Sequence, residues 1–180
     1  MDWFTQICLA IKHIHDKKVL HRDLKSQNIF LTKNGLIKLG DFGIAKCLNF
    51  TLEKARTVVG TPYYLSPEIV ENKPYSFKSD IWSLGVLLYE ITCLKMPFDA
   101  SSLPMLYVKI IRGAHSPVPN VFSKDLRNLI NTLLIVDSDK RPSINDILRM
   151  PYVKNRIRNF LSEMEYNNEF SNDILKKHVI

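Results

Sequence analysis

The sequence of 180 residues predicts a mainly α-helical domain that contains one small β-hairpin. Apolar residues recur at intervals of three and four near the start of the chain and again beyond residue 100, as on one face of a helix. Two short apolar segments flank an Asn-Gly pair at 34–35, which is typical of a hairpin turn. The segment 81–91 is apolar on almost every side, which indicates a buried central helix.

The first helix is predicted from apolar residues that share one face, and the pattern ends near residues 15–16. Asp2 stands where either an N-cap residue or an acidic residue in the first turn would stabilise the helix. Val19-Leu20 is predicted to be a short apolar strand that leads into the following loop. The face-sharing residues are Phe4, Ile7, Ile11 and Ile14.

The hairpin is predicted over residues 29–32 and 36–39, joined by a tight turn at Asn34-Gly35. A hairpin brings its two ends together, so Asn28 before the first strand and Asp41 after the second are expected to be near neighbours. Two oxygen-bearing side chains that meet in this way suit Mg²⁺, which takes few protein ligands and keeps water and phosphate oxygens in its shell.

Two further side chains near this predicted cation site favour phosphoryl transfer. Asp23 would accept the proton of an alcohol, and Lys25 would place a positive charge beside the moving phosphoryl group. Together with Asn28 and Asp41, they form the candidate catalytic and cofactor-binding set.

Further helices are predicted in the second half of the chain. Ser79-Asp80 is expected to cap the buried helix 81–91, in which Trp82 is a core residue and Gly85 allows close packing. Helical spacing predicts three more helices. One covers 103–111 and is stopped by Gly113, one follows Ser123 and runs through Leu126, Leu129, Ile130 and Leu133, and one covers 144–148.

The domain is expected to occupy residues 1–153. A chain of 180 residues has the length for one domain with a substantial core. Beyond residue 153 the helical pattern weakens, and charges mix with asparagines without a clear period. Residues 154–180 are therefore predicted to be a C-terminal extension or linker.

Composition argues against several classes of protein. The formal charge of +7 would permit nucleic-acid binding, but the basic residues are spread along the chain without an aromatic-interleaved cluster. No segment approaches the ~18 to 20 apolar residues of a membrane span, and no signal-peptide pattern opens the chain. The three cysteines, Cys8, Cys47 and Cys93, are widely spaced, which argues against disulfides and zinc. We therefore expect a cytoplasmic protein that binds neither nucleic acid nor membrane.

Three segments stand in the order of protein-kinase signatures: His21-Arg22-Asp23-Leu24-Lys25-Ser26-Gln27-Asn28, Asp41-Phe42-Gly43 and Ser66-Pro67-Glu68. The chain therefore resembles the C-terminal lobe of the α+β protein-kinase fold. Segments 40–46, 60–69 and 72–75 are similar to the NIMA-related, or Nek, kinases. The resemblance implies a serine/threonine kinase that uses ATP and Mg²⁺ to phosphorylate serine and threonine hydroxyls of proteins.

The resemblance also implies roles for the candidate site residues. Asp23 would orient the substrate hydroxyl, and Lys25, typical of the serine/threonine branch, would contact the phosphoryl group. Asn28 and Asp41 would hold Mg²⁺, and Lys25, Asn28 and Asp41 would together bind ATP.

Four other residues are implied to support the site structurally. His21 is expected to pack under the catalytic loop, and Asp80 to accept hydrogen bonds from that loop's backbone. Glu68 and Arg141 are expected to form a buried ion pair that acts as a latch and takes no part in the chemistry.

The segment from Asp41 to Glu68 resembles an activation segment. It is longer than the ~12 to 15 residues at which a loop without regular structure is usually functional or disordered. Thr57 stands at the customary phosphorylation position, where a phosphate would pair with Arg22, although it would also suit a solvated loop hydroxyl. Thr61 is implied to line the substrate groove, and Ile44 to favour threonine over serine as acceptor.

The sequence departs from the kinase pattern in one respect. No Gly-rich loop and no V-A-I-K lysine occur in these 180 residues, so the N-terminal lobe is expected to be absent from this chain. Three alternatives follow: a fragment of a working kinase, a catalytically silent truncated kinase that competes as a protein-binding module, or a lobe that assembles with another chain. The chain by itself is expected to bind ATP weakly and to turn over negligibly.

Overall fold

The computed structural model describes residues 1–40, 62–157 and 161. They form a mainly helical body with one antiparallel two-stranded sheet, which confirms the predicted helical content and hairpin. The first part contains helix α1 (Asp2–Asp16), a 3₁₀ turn (Ser26–Asn28), and strands β1 (Ile29–Leu31) and β2 (Ile37–Leu39). Residues 62–157 contain α2 (Pro67–Val70), α3 (Phe77–Cys93), α4 (Leu103–Arg112), α5 (Lys124–Leu133), α6 (Ile144–Arg149) and α7 (Pro151–Ile157).

Helix α1 buries the face that the sequence predicted. Phe4, Ile7 and Ile11 are almost completely buried, and α1 packs against α6, α7 and β2. Asp2 lies in its first turn. Burying one such apolar side chain stabilises a fold by roughly 1.5 to 3 kcal/mol, so α1 joins the start of the chain firmly to its last described helices.

The short strand predicted at Val19-Leu20 is wrong. Neither residue belongs to a strand, and the amide of Val19 donates to the carbonyl oxygen of Ile14 at 2.9 Å. Lys18 has a positive φ of 61°. Together these features make a Schellman-type ending, which satisfies a carbonyl that the helix would otherwise leave unpaired. The chain thus turns directly from α1 into the loop that begins at His21.

The hairpin forms at the predicted place, but each strand is one residue shorter and the turn is longer than expected. The amide of Gly35 donates to the carbonyl of Thr32 at 3.0 Å, and the amide of Thr32 donates to the carbonyl of Leu36 at 2.9 Å. Residues 33–35 therefore form a three-residue loop, with Gly35 at its left-handed position, where φ is 77°. The strand partners are Ile29 with Leu39, Phe30 with Lys38 and Leu31 with Ile37.

The cap predicted for the central helix at Ser79-Asp80 is wrong. Helix α3 begins at Phe77, and the side chain of Ser76 accepts a hydrogen bond from the amide of Lys78. The Ser79 hydroxyl in turn accepts from the amide of Ser76 at 3.2 Å, which completes a capping box. The longer helix places Asp80 in its first turn, where the carboxylate is available to a neighbouring loop.

Helix α3 is the buried centre of the body. Trp82 has no exposed surface, and a Cβ added at Gly85 would lie 2.8 Å from the Cβ of Leu133. The predicted close packing at Gly85 is therefore confirmed, and it is α5 that approaches. Although α3 is largely apolar, neither it nor any other helix of the described residues is long and apolar enough to cross a bilayer.

The other helices mostly begin and end at the predicted signals. Helix α4 ends at Gly113, whose φ of 63° suits a left-handed cap, and Ser123 caps α5 through the amide of Leu126. Helix α2 was not predicted. It is only one turn long, and it starts at Pro67, whose fixed φ and missing N–H suit the first helical position.

Candidate active site

Three of the predicted catalytic side chains meet on the loop between α1 and β1. Lys25 Nζ lies 2.8 Å from Asp23 Oδ2, and Asn28 Nδ2 donates to the carbonyl oxygen of Asp23 at 2.8 Å and to its Oδ2 at 3.2 Å. The Asp23 and Lys25 side chains are 23% and 32% exposed, whereas Asn28 is buried. An accessible carboxylate beside an ammonium group can engage an alcohol and a phosphate at one place.

Asp80 anchors the start of this loop from helix α3. Its fully buried carboxylate accepts the backbone N–H of His21 at 2.9 Å and of Arg22 at 3.0 Å. Burial alone would raise the pKa of Asp80, but the hydrogen bonds to its carboxylate outweigh burial and lower that pKa below its usual value. The ionised carboxylate thus holds Arg22 at a positive φ of 67°, a backbone conformation that costs energy outside glycine.

Two side chains that received no role from the sequence complete the Asp80 site. His15 Nε2 lies 2.8 Å from Asp80 Oδ2, and the Tyr75 hydroxyl donates to Oδ1 at 2.6 Å. His15 also packs edge-on against the ring of Phe77 at 4.8 Å between centroids. The local spacing of residues indicates neither His15 nor Tyr75 as a partner of Asp80. The available signal was for His15, a polar ring on the buried side of α1, since a buried polar group requires a hydrogen-bond partner.

His21 packs beneath the catalytic loop and has no exposed surface. Its Nδ1 accepts a hydrogen bond from the amide of Asp23 at 3.3 Å. Burial lowers the pKa of His21, although the nearby carboxylates of Asp80 and Asp23 act in the opposite direction. The neutral ring accepts the hydrogen bond of the Asp23 amide and thereby supports the backbone of Asp23.

The hairpin is held against α1 by Gln6. Its Oε1 accepts from the amide of Ile37 at 2.8 Å, and its Nε2 donates to the carbonyl of Gly35 at 3.3 Å. At the open end of the hairpin, the amide of Gly40 donates to the carbonyl of Asn28 at 2.9 Å. The backbone before Asp41 therefore returns to Asn28, and Asp41 itself lies outside the described residues.

The donor set at Asn28 fits a hard cation. Because Nδ2 is occupied by the two acceptors of Asp23, the amide orientation is fixed and Oδ1 faces away from Asp23. An amide oxygen of this kind is a ligand that Mg²⁺ accepts, with waters and phosphate oxygens completing its octahedral shell. The described part of the site would thus supply one oxygen ligand, and the predicted second ligand is Asp41.

Glu68 and Arg141 form a bidentate ion pair in the interior. Arg141 donates to the Glu68 carboxylate oxygens at 3.0 and 3.1 Å, and Ser79 Oγ donates to the same carboxylate at 2.7 Å. Burial alone would raise the pKa of Glu68, but Arg141 outweighs burial and lowers it. The pair ties α2, which contains Glu68, to the chain just before α6.

Acid is expected to remove the contribution of this pair to stability. The pKa of Glu68 in the folded protein lies below its unfolded value near 4.5, so the stabilisation is complete above pH 4.5 and lost as pH falls through the folded pKa. Urea unfolding of the wild type and of Glu68→Gln, at pH values above and below 4.5, measures the contribution of the pair to stability. The difference in unfolding free energy should be constant above pH 4.5 and shrink below it, whereas a difference independent of pH would contradict the assignment.

Several predicted site residues lie outside the described residues. They are Asp41, Thr57 and Thr61, together with Ile44, and their assignments stay predictions. Of the others, the structure brings Asp23, Lys25 and Asn28 together on one loop. His21 and Arg22 begin that loop and donate their amides to Asp80 beneath it, and Glu68 and Arg141 pair with each other elsewhere in the core.

Comparison with known proteins points to one family. The sequence pattern of the family described as "Protein kinase domain" matches residues 1–153. "Serine/threonine-protein kinase Nek1" of Mus musculus is 55% identical over 177 residues, which cover 98% of this chain and 15% of that protein. "Serine/threonine-protein kinase Nek5" of Homo sapiens is 52% identical over 97% of this chain and 25% of that protein.

A third relative has a similar level of identity. "Probable serine/threonine-protein kinase nek3" of Dictyostelium discoideum is 53% identical over 97% of this chain and 16% of that protein. The chain thus spans between 15% and 25% of the length of these curated relatives. The chain belongs to the protein kinase domain family, and its sequence resembles the Nek serine/threonine kinases.

Proposed function

We propose that this chain is the C-terminal lobe of a Nek-like serine/threonine protein kinase, which transfers the γ-phosphoryl group of ATP to protein hydroxyls. The lobe occupies residues 1–153, and residues 154–180 are an extension or linker. The observation that carries this proposal is the convergence of Asp23, Lys25 and Asn28 on a loop that the core holds in place. Positioned charge is the main requirement of phosphoryl transfer.

In the proposed reaction, Asp23 accepts the hydrogen bond of the substrate hydroxyl and aims its oxygen at the γ-phosphorus. The new O–P bond forms as the bond to ADP breaks, and the hydroxyl proton passes to the carboxylate. Because the transition state is loose, orientation contributes more than proton removal. Lys25, 2.8 Å from Asp23 Oδ2, adds positive charge where the phosphoryl group passes.

Asn28 and Asp41 are proposed to hold Mg²⁺. A bound ion would offset the negative charge of the ATP phosphates. Asn28 contributes its Oδ1, whose direction is fixed by the hydrogen bonds of Nδ2 to Asp23. The same amide therefore couples the hydroxyl-orienting residue to the cation ligand.

Regulation and specificity are proposed on the resemblance alone. Phosphorylation of Thr57 would add about 1.5 to 2 negative charges, and Arg22 would pair with them. Thr61 would line the groove for the protein substrate, with threonine preferred over serine because Ile44 follows the metal-binding triplet. A part of the enzyme that covers the nucleotide, absent from these 180 residues, would complete the site.

The proposal is tested by measuring transfer from γ-labelled ATP in the presence of Mg²⁺ to a generic protein acceptor. Two proteins are compared, the 180-residue chain and the full-length product of its gene. We expect transfer by the full-length protein, little by the chain alone, and a loss of about 10²-fold in Asp23→Asn. The matched control is Asp139→Asn, which replaces an exposed aspartate far from Asp23 in the sequence.

Two results would contradict the proposal. Transfer that Asp23→Asn leaves unchanged would remove Asp23 from the reaction. Absence of transfer by the full-length protein with several acceptors would favour a catalytically silent protein that uses the kinase fold for binding.

A further inference from the structure

The hydroxyl of Tyr64 meets the catalytic loop directly after Lys25. It accepts the backbone N–H of Ser26 at 3.1 Å and donates to the carboxylate of Glu90. Ser26 Oγ also donates a hydrogen bond to the carboxylate of Glu90 at 3.2 Å and lies 3.2 Å from the Tyr64 hydroxyl. One phenol thus links the catalytic loop, the segment before α2 and the last turn of α3.

The hydrogen bond between Tyr64 and Ser26 satisfies the Ser26 amide, a donor that has no partner within the loop. Ser26 is the first residue of the 3₁₀ turn Ser26–Asn28, and the first amides of a helical turn have no partner within it. Lys25, which precedes the turn, has an extended backbone and provides no side-chain cap. The cap is supplied instead by Tyr64, which lies 38 residues further along the chain.

The direction of these bonds follows from the state of the phenol. Burial, and after it the hydrogen bond to Glu90, raises the pKa of Tyr64 to about 12. At neutral pH the hydroxyl is therefore protonated, and its single proton goes to the carboxylate. Its oxygen lone pairs remain available to accept from the Ser26 amide.

The turn that Tyr64 caps places two groups of the candidate site. Lys25 immediately precedes the turn, and Asn28 ends it, with the amide of Asn28 donating to the carbonyl of Lys25 at 3.0 Å. We propose that Tyr64 is a positioning residue, which caps the turn 26–28 and thereby aims Lys25 and Asn28 at the phosphoryl group and its cation. The role in transfer rests on the proposed function, whereas the cap is a property of the chain alone.

The variant Tyr64→Phe separates this role from packing. The ring of Tyr64 packs on the hydrophobic core, and its backbone carbonyl accepts from Ser83 Oγ at 3.0 Å. Both contacts survive removal of the hydroxyl, so the variant is expected to fold. Tyr63→Phe is the matched control, because this neighbouring tyrosine also packs on the core and its hydroxyl makes no hydrogen bond to the described residues.

Amide hydrogen exchange on the 180-residue chain tests the cap without any assay of activity. In Tyr64→Phe, exchange of the Ser26 and Asn28 amides should accelerate about tenfold, the loss expected for one buried hydrogen bond. Amides in the middle of α3 should not change, and Tyr63→Phe should match the wild type at all of these positions. Equal exchange of Ser26 in the wild type and Tyr64→Phe would overturn the proposal.

A second variant, Ser26→Pro, removes the donor that needs the cap. Proline suits the first position of a helical turn, and the extended Lys25 backbone is compatible with a following proline. In the Ser26→Pro background, Tyr64→Phe should accelerate Asn28 exchange no more than about twofold. A tenfold effect in both backgrounds would show that the hydroxyl acts elsewhere and would overturn the cap.

Kinetics of the full-length protein connect the cap to transfer. Tyr64→Phe should lower kcat about tenfold and leave KM for ATP within about twofold, since Lys25 acts on the moving phosphoryl group. An unchanged kcat with altered Ser26 exchange would overturn the positioning role. If the wild type itself transfers no phosphate, the proposed function fails, and the exchange experiment still decides whether Tyr64 caps the turn.

Discussion

Arg141→Met is expected to lower the free energy of unfolding by about 3 to 5 kcal/mol, because it leaves the Glu68 carboxylate charged and without its partner in the interior. Arg141 is 1% exposed, and its guanidinium also donates to the carbonyl oxygens of Ile135 at 2.9 Å and Val136 at 3.2 Å. These acceptors would lose their donors as well. Chemical denaturation of the 180-residue chain, followed by circular dichroism, measures the loss.

A matched control and a double variant identify the cause of that loss. Arg112→Met removes an exposed arginine from the last turn of α4 and should change stability by less than about 0.5 kcal/mol. The double variant Glu68→Gln/Arg141→Met should be more stable than Arg141→Met, since no buried charge is then left uncompensated. If Arg141→Met were no worse than Arg112→Met, the ion pair would not be the latch that we infer.

Asp80→Asn is expected to lower kcat of the full-length protein by about 10²-fold, the cost of a catalytic group misplaced by roughly 1 Å. Each oxygen of the Asp80 carboxylate accepts one backbone amide of the catalytic loop and one side-chain donor. An asparagine has only one acceptor oxygen, so its NH₂ group would face the amide of His21 or Arg22. That amide cannot reverse its direction, and the loop must move away.

The same substitution should also destabilise the isolated chain, by about 1 to 3 kcal/mol for a buried donor left unsatisfied. Amide exchange would locate the damage, with faster exchange at His21 and Arg22. Asp139→Asn, which replaces an exposed aspartate, should leave both stability and kcat unchanged. An Asp80→Asn protein with wild-type kcat would show that the anchor is not needed for transfer.

Most elements of the fold could be predicted from local patterns. The apolar face of α1, the end of α4 at Gly113 and the strands of the hairpin all depend on residues that are close in sequence. Two local predictions failed at helix ends, where more than one arrangement of hydrogen bonds could end or begin the helix. Val19 closes the end of α1 and does not enter a strand, and Ser76 starts α3 ahead of the expected cap at Ser79-Asp80.

The residues of the candidate site were predicted in part. Asp23, Lys25 and Asn28 follow one another closely, so their meeting on one loop could be expected from their order alone. The hydrogen bonds that orient them could not, because Asp80 lies 59 residues from His21 and Tyr64 lies 38 residues from Ser26. No spacing rule connects such pairs, and family resemblance supplied the role of Asp80 but not those of His15, Tyr75 or Tyr64.

The sequence by itself therefore determined the family, most of the helices, the hairpin and the candidate groups for transfer, since each depends on residues that are close in sequence. Only the tertiary structure decided which buried polar groups hold those candidates in place. The physical reason is that a buried donor or acceptor must find a partner, and packing determines which distant side chain comes within about 3 Å of it. In this chain, α3 packs beneath the loop and brings Asp80 and Glu90 within hydrogen-bonding distance of it.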